Sequence, residues 1–344
     1  MPDPFIIAEL AQGYEGKPAQ AVALISAAAA AGADAVKLQL VYAEELATSD
    51  YKHYEVFRGL EMPDGVWHEL AGQAAARSIE FQADVFGPRS LRLAQEIGAA
   101  AVKIHSTDMG NPALLNAVAE SGISDVLLST GGCMPTEIAQ ALDMLARKRI
   151  VLLHGFQGYP TPVDANQIIR LRQLAVLYQQ GRPDVRLGFA DHADPAGGLS
   201  ELLSAVALGA GATVLEKHLT LAKVLKLEDH ESALSPDEFS DFVRHMRACS
   251  AALGTAAWAV FRDGIAFESR LHPSEVAYRA MTRKHVVAAS DLPGGTMLVA
   301  GHLVLKRTSS STFVQDLREV VGRRLTRSVK KDEAISHGVL EATS

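Results

Sequence analysis

The chain has little cysteine, no long uncharged apolar run and a deficit of positive charge, and each shortage removes a class of protein. Its 2 cysteines, Cys133 and Cys249, are too few for a disulfide framework and lack zinc-ligand spacing, so reduced, buried thiols are expected. The Ala-rich stretch at 27–33 ends at Asp34 and Lys37, well short of the ~20 residues a membrane span needs. Met1 to Phe5 lack the basic start and cleavage site of a signal peptide, and a cytoplasmic protein is expected. No glycine-rich dinucleotide loop follows the first apolar run, which counts against an open doubly wound sheet. The 33 Lys and Arg against 40 Asp and Glu give a net charge of -7. From Glu275 onward 11 basic and 7 acidic residues give +4, which leaves 22 against 33, or -11, for the rest. An acidic body argues against a nucleic-acid partner, whereas a basic tail suits holding an anion in a neighbouring active site.

What is present is apolar and periodic. With 48% of its 344 residues hydrophobic, the chain can bury one large core and a smaller second one. Eight short runs rich in Val, Ile, Leu and Ala recur along it: 5–10, 35–40, 80–85, 101–106, 125–130, 150–155, 186–191 and 213–218. Stretches with helical spacing separate them, as βαβ units require. Near-continuous apolar strands alternating with helices imply a covered parallel sheet, and eight repeats fit closure into a (β/α)8 TIM barrel. Ser235, Pro236 and Glu238 form a capping box that starts the last barrel helix, and Gly254 can stop it. Residues 255–277, with Trp258, Phe261 and Phe267, read as a linker. Residues 278–344 then change to short β-like runs with Gly-rich turns, a small separate β-rich domain following the barrel domain of residues 1–254.

In a barrel of this kind reactive groups sit at the carboxyl ends of the strands. That rule selects Glu9, Lys37 and Gln39, then Lys103, Ser106 and Asp108, then Ser129 and Thr130. It continues with His154, Gln157 and Tyr159, and ends with His192, Glu216 and His218. Two runs, "RLGFADH" and "TVLEKH", each close on an acid and a histidine, so neighbouring strands would present His192 and His218 to one divalent metal. The bland alternative is a pair of histidines hydrogen-bonded inside the barrel. Two lysines and several hydroxyls at one mouth suit a phosphate or carboxylate; equally, Lys37 and Lys103 could pair internally with Glu9 or Glu216.

The ordered motifs resemble the sialic acid synthase family, whose members condense phosphoenolpyruvate with an aldose to make nonulosonic acids. The resemblance runs through "IIAEL", "AVKLQ", "KIHSTD", "LLSTGG", "LLHGFQGYPTPVDAN", "GFADH", "LEKHLT" and "EDHESALSP". The last domain is similar to that family's antifreeze-like (SAF) module through "HVVAASDLPGGTML" and "VLKR". The resemblance implies that His192 and His218 are the two protein ligands of a divalent metal, Mn2+ or Mg2+. It places donor phosphate and carboxylate on Lys37, Lys103, Ser106 and Ser129, with Gln157 standing where the family has an asparagine. It puts the acceptor sugar near Gln39, Asp108, Tyr159 and Asp229, and makes Glu9 an acid beside the reacting carbons. It implies a domain-swapped homodimer in which Arg307 reaches the partner subunit's barrel. Glu9 is then expected to orient or deprotonate the attacking water, and Asp229 to handle an acceptor hydroxyl proton.

The departures from the family pattern gather around the donor. Asp84 stands for a phosphate-binding threonine, Ala190 for a serine and His105 for a glycine, and "KRTSSS" replaces Lys-Arg-Pro-Gly after Lys306. They leave open the same condensation on another sugar, and a catalytically silent sugar- or phosphate-binding paralogue.

Overall fold

A computed structural model of the chain describes residues 3–155, 157–253, 271 and 273–341. It divides into two compact units, Met1–Leu40 with Met62–Tyr278, and Val41–Glu61 with Arg279–Ser344. In the first unit eight parallel strands close into a barrel in sequence order. They are β1 (Phe5–Ala11), β2 (Ala35–Gln39), β3 (Glu80–Val85), β4 (Ala101–Ile104), β5 (Asp125–Ser129), β6 (Arg149–Gly155), β7 (Val185–Asp191) and β8 (Val214–His218). β8 returns to β1, with Val214 opposite Phe5 and His218 opposite Glu9. Every expected run is a strand to within two residues, so the barrel read from the sequence is the barrel observed.

Helices cover the outside, and those starting at Pro18, Pro88, Pro112, Pro135 and Pro236 carry proline in the first turn. A fixed φ and a missing N–H cost nothing there. The helix Pro236–Leu253 follows Ser235, whose backbone N–H donates to Glu238 at 2.8 Å, the glutamate half of the expected capping box, while its hydroxyl donates to the same carboxylate at 2.8 Å. Gly254 and the linker aromatics Trp258, Phe261 and Phe267 lie outside the described residues.

Strand alternation sorts the lumen into layers. Ile7, Ala35, Ala101, Leu127, Val151, Leu153, Ala190 and Val214 form one buried apolar cluster. Two residues further along the same face come Glu9, Lys37, Lys103 and Glu216, so the lumen turns from apolar to ionic towards the carboxyl mouth. Glycine makes room where the staves are closest. A Cβ at Gly155, where φ is +138°, would lie 2.0 Å from the Ala190 carbonyl oxygen.

The second unit contains an antiparallel pair, β9 (His285–Ala288) and β10 (Leu303–Lys306), extended by isolated bridges such as Val287 to Ala334 and Leu292 to Val329. Its core is aliphatic, including Val286, Leu298, Leu305, Val320, Leu325 and Ile335. Residues 41–61, left inside the first domain by the sequence reading, group with this unit: Thr48 N–H donates to the Arg307 carbonyl at 2.9 Å and Arg307 N–H to the Leu46 carbonyl at 3.1 Å. Among the described residues no helix is long and apolar enough to cross a membrane.

Candidate functional site

Lys37 and Lys103, 0% and 4% exposed, sit at the centre of a buried ionic cluster. Lys37 Nζ touches Glu9 Oε2 and lies 2.6 Å from Asp84 Oδ1 and 3.5 Å from Glu216 Oε2. Lys103 Nζ lies 2.7 Å from Glu216 Oε1, 3.6 Å from Glu9 Oε2 and 3.9 Å from Asp84 Oδ2. The internal pairing left open by the sequence is therefore made, with Asp84 as a third carboxylate. His105 Nε2 adds a contact of 2.9 Å to Asp84 Oδ2.

Two ammonium groups against three carboxylates leave one negative charge in excess, which a site this dry relieves by keeping a proton. Burial, opposed by Lys37 and reinforced by Asp84 and Glu216, pushes the Glu9 carboxyl up to about 8. Against the same burial, Lys103 and Lys37, helped by His105, hold Asp84 well below the usual carboxylate range. Lys103 and Lys37 lower Glu216 likewise. Burial keeps His105 below its ordinary value despite Asp84. At neutral pH the cluster is thus close to electrically balanced, with its proton on Glu9.

The sequence pair His192 and His218 is brought together. β7 and β8 pair in parallel with Asp191 opposite Lys217, which puts the two rings 4.9 Å apart at 68°. His192 Nδ1 lies 3.0 Å from the Ala190 carbonyl, which can only accept, so the ring proton is on Nδ1 and the lone pair on Nε2. Burial, then Lys103, takes His192 down to about 3, and burial, then His192, takes His218 well below its ordinary value. Both imidazoles are neutral at physiological pH, the state a metal ligand needs. No group of three His, Cys, Asp or Glu among the described residues could hold a metal. The donor set fits an ion bound by these two nitrogens with its other positions open to small oxygen ligands.

Tyr159 stands over the pair, its ring 6.3 Å from His192 and 6.2 Å from His218, and its hydroxyl faces Asp229 and Ser232. Asp229 occupies a left-handed backbone position at φ 65°. Burial, then the neighbouring Glu228 and Glu231, pushes its carboxyl up to about 6 against hydrogen bonds from Gln12 and Tyr159. The loops after β6, β7 and β8 thus converge on one place.

Alternation also yields a pair the sequence reading missed. Asp191 and Lys217 each precede a histidine and point outward, where Lys217 Nζ lies 3.3 Å from Asp191 Oδ1 and donates to the Ala193 carbonyl at 3.0 Å. Ser204 donates to Asp191 Oδ2 at 3.1 Å. This buried link ties together the two staves that carry the histidines. The Asp-His and Lys-His dipeptides were its only signal.

Ser129 ends β5 and Ser106 begins the turn after β4, both buried. Gln39 Oε1 accepts from the Gln12 amide at 2.8 Å. Asp108 accepts from Asn111 at 2.8 Å, and Asn111 in turn caps the next helix through Leu114 N–H. Gln157 is wholly buried, its amide nitrogen 3.1 Å from His154 Nε2. His154 does not face the mouth: Val151 and Leu153 are the lumen residues of β6, so His154 takes the opposite side and donates to the Asn166 carbonyl at 2.8 Å. Arg307 Nε donates to the Thr282 carbonyl at 3.1 Å and its guanidinium lies 5.9 Å from the Phe57 ring centroid, both within the second unit.

A family model described as the NeuB family matches residues 24–257. The chain belongs to the NeuB family. Among its relatives, N,N'-diacetyllegionaminic acid synthase of Campylobacter jejuni is 30% identical, the match covering 96% of this chain and 98% of that protein. N-acetylneuraminate-9-phosphate synthase of Mus musculus is 28% identical over 99% of this chain and 93% of that protein. A solved N-acetylneuraminic acid synthetase from Leptospira borgpetersenii superposes with a TM-score of 0.68 at 26% identity, covering 81% of this chain and 92% of that one. The spore coat polysaccharide biosynthesis protein SpsE from Bacillus subtilis superposes with a TM-score of 0.79 over 99% of this chain and 96% of that one; at 24% identity it supports the fold alone. Within this NeuB-family chain, the lysine-carboxylate cluster and the histidine pair lie on consecutive levels of one barrel mouth.

Proposed function

We propose that this NeuB-family protein condenses phosphoenolpyruvate with an aldose of the N-acetylmannosamine type, forming a nonulosonic acid and releasing inorganic phosphate. The observation that carries the reading is the pair of neutral imidazoles, His192 and His218, set 4.9 Å apart at the barrel mouth that also holds Lys37 and Lys103. The printed names of the legionaminic and neuraminic acid synthases among its relatives support the same class.

His192 and His218 would hold a divalent ion, Mn2+ or Mg2+, which when bound supplies Lewis acidity towards the acceptor's aldehyde oxygen. Lys37, Lys103, Ser106, Ser129 and Gln157 bind the donor's phosphate and carboxylate. Gln39, Asp108, Tyr159 and, from a partner subunit, Arg307 bind the acceptor. Donor C3 attacks the aldehyde carbon, water adds at C2, and the phosphate leaves. Glu9 orients that water and, in its ionised form, which grows in as pH rises through about 8, takes its proton. Asp229, beside the Tyr159 hydroxyl, exchanges a proton with an acceptor hydroxyl. No covalent enzyme intermediate is needed. The C-terminal unit serves as an SAF module of a domain-swapped, cytoplasmic homodimer, with neither nucleic acid nor membrane as partner.

The test is phosphate release by the purified protein with manganese and phosphoenolpyruvate, across a panel of hexosamines and hexoses. Release that requires the sugar, with a product whose intact mass equals donor plus acceptor plus water minus phosphoric acid, is expected. No release with any sugar overturns the proposal.

A further inference from the structure

Asp84 is fully buried on β3, between the lysines of β2 and β4. Its Oδ1 lies 2.6 Å from Lys37, and its Oδ2 lies 3.9 Å from Lys103 and 2.9 Å from His105. One carboxylate therefore spans both ammonium groups. A phosphate or carboxylate from a bound molecule would need that same placement to use the two lysines together. Glu9 and Glu216 span the two lysines as well, but Asp84 has a further anchor in His105, the residue after β4, against its second oxygen.

We propose that Asp84 is an internal anion that competes with the donor for Lys37 and Lys103, and so sets the affinity of this pocket for phosphate-bearing molecules. The proposal rests on the donor-site reading above and names the residue that limits it. The lysines' charge is already matched by carboxylates, so an incoming anion gains their full attraction only when the Asp84 charge is removed or displaced. Glu9 touches the same lysines and can ionise in place of a neutralised Asp84. The Asp84 side chain is therefore neutralised in a Glu9→Gln background, where the lost charge has no such replacement and binding strengthens. The effect is electrostatic and runs through the lysines, so it vanishes when one of them is lost.

The experiment is calorimetric titration of the full-length protein, in manganese, with inorganic phosphate and separately with phosphoenolpyruvate. Asp84→Asn in the Glu9→Gln background is expected to lower Kd for both, relative to Glu9→Gln alone, by about tenfold or more, the scale of one unpaired charge at this distance. The gain is expected to disappear when Lys103→Met is added. Asp84→Ser provides the same charge change with a smaller side chain should the asparagine variant not fold. An unchanged or weaker Kd in a folded neutral variant overturns the proposal. Tighter phosphate binding in that variant, with no turnover of any sugar by the wild-type protein, would sink the condensation reading and leave this one standing. Wild-type turnover with a phosphate affinity indifferent to Asp84 would do the reverse.

Discussion

Glu9 holds the proton that two lysines cannot neutralise away, because Asp84 and Glu216 are both drawn down by the same ammonium groups. A carboxyl raised to about 8 is protonated below that pH, so the ionised form the proposed water activation requires grows in as pH rises through about 8. The expected kcat/KM profile climbs about tenfold per unit below that value and levels above it, and Glu9→Gln removes the limb along with about 100-fold of activity. A wild-type profile flat across this range would remove Glu9 from the role of base. At the histidines, His192→Ala and His218→Ala are each expected to abolish bound manganese, read by paramagnetic resonance, while circular dichroism stays that of the parent. Retention of the metal by either variant counts against the pair as ligands.

At the scale of elements, all eight strands were legible because parallel strands buried on both faces read as short unbroken apolar runs. The same continuity hid their facing: nothing in "IVLLHG" tells which residues see the lumen, so His154 reads as a mouth residue although it points into the helix layer. β4 ends at Ile104, two residues before the expected end, because Ser106–Asp108 wind into a 3-10 turn that leads to the Asn111 cap. Replacing that cap, Asn111→Ala, is expected to cost about 1 kcal/mol in urea unfolding. Gly155→Ala is far more severe: the added Cβ lands 2.0 Å from a backbone oxygen of β7 at a φ that side chains avoid. It should destabilise by several kcal/mol, on the order of 3 or more, or prevent soluble expression. A variant that melts like the parent would mean the β6–β7 contact is looser than described.

For the whole molecule, the second unit carries its own acid sensitivity. His285 is 5% exposed and stacked on Phe313 at 3.5 Å, and neither ring nitrogen has a hydrogen-bond partner among the described residues. Burial, helped by Arg283, takes its folded value from 6.5 down to about 4. Between those values the unfolded chain binds the extra proton, so the unit's stability is complete above 6.5 and is lost progressively as pH falls towards 4. Amide hydrogen exchange in residues 285–341 should show this loss, and His285→Phe, which keeps the stacking, should flatten it. An equal slope in the variant would place the sensitivity elsewhere.

The barrel, its strand order and the residue types at its mouth were determined by the amino-acid sequence itself, because hydrophobic period, turn residues and helix starts are local properties. The change to short β-like runs with Gly-rich turns after residue 278 was legible for the same reason, whereas the grouping of residues 41–61 with them was not. Tertiary structure alone decided that Lys37 and Lys103 share three carboxylates, that Asp84 lies between them, and that Asp191 and Lys217 bind each other behind the histidines. Those relations depend on register across neighbouring staves and on which face each side chain takes. They exist only once the sheet has closed.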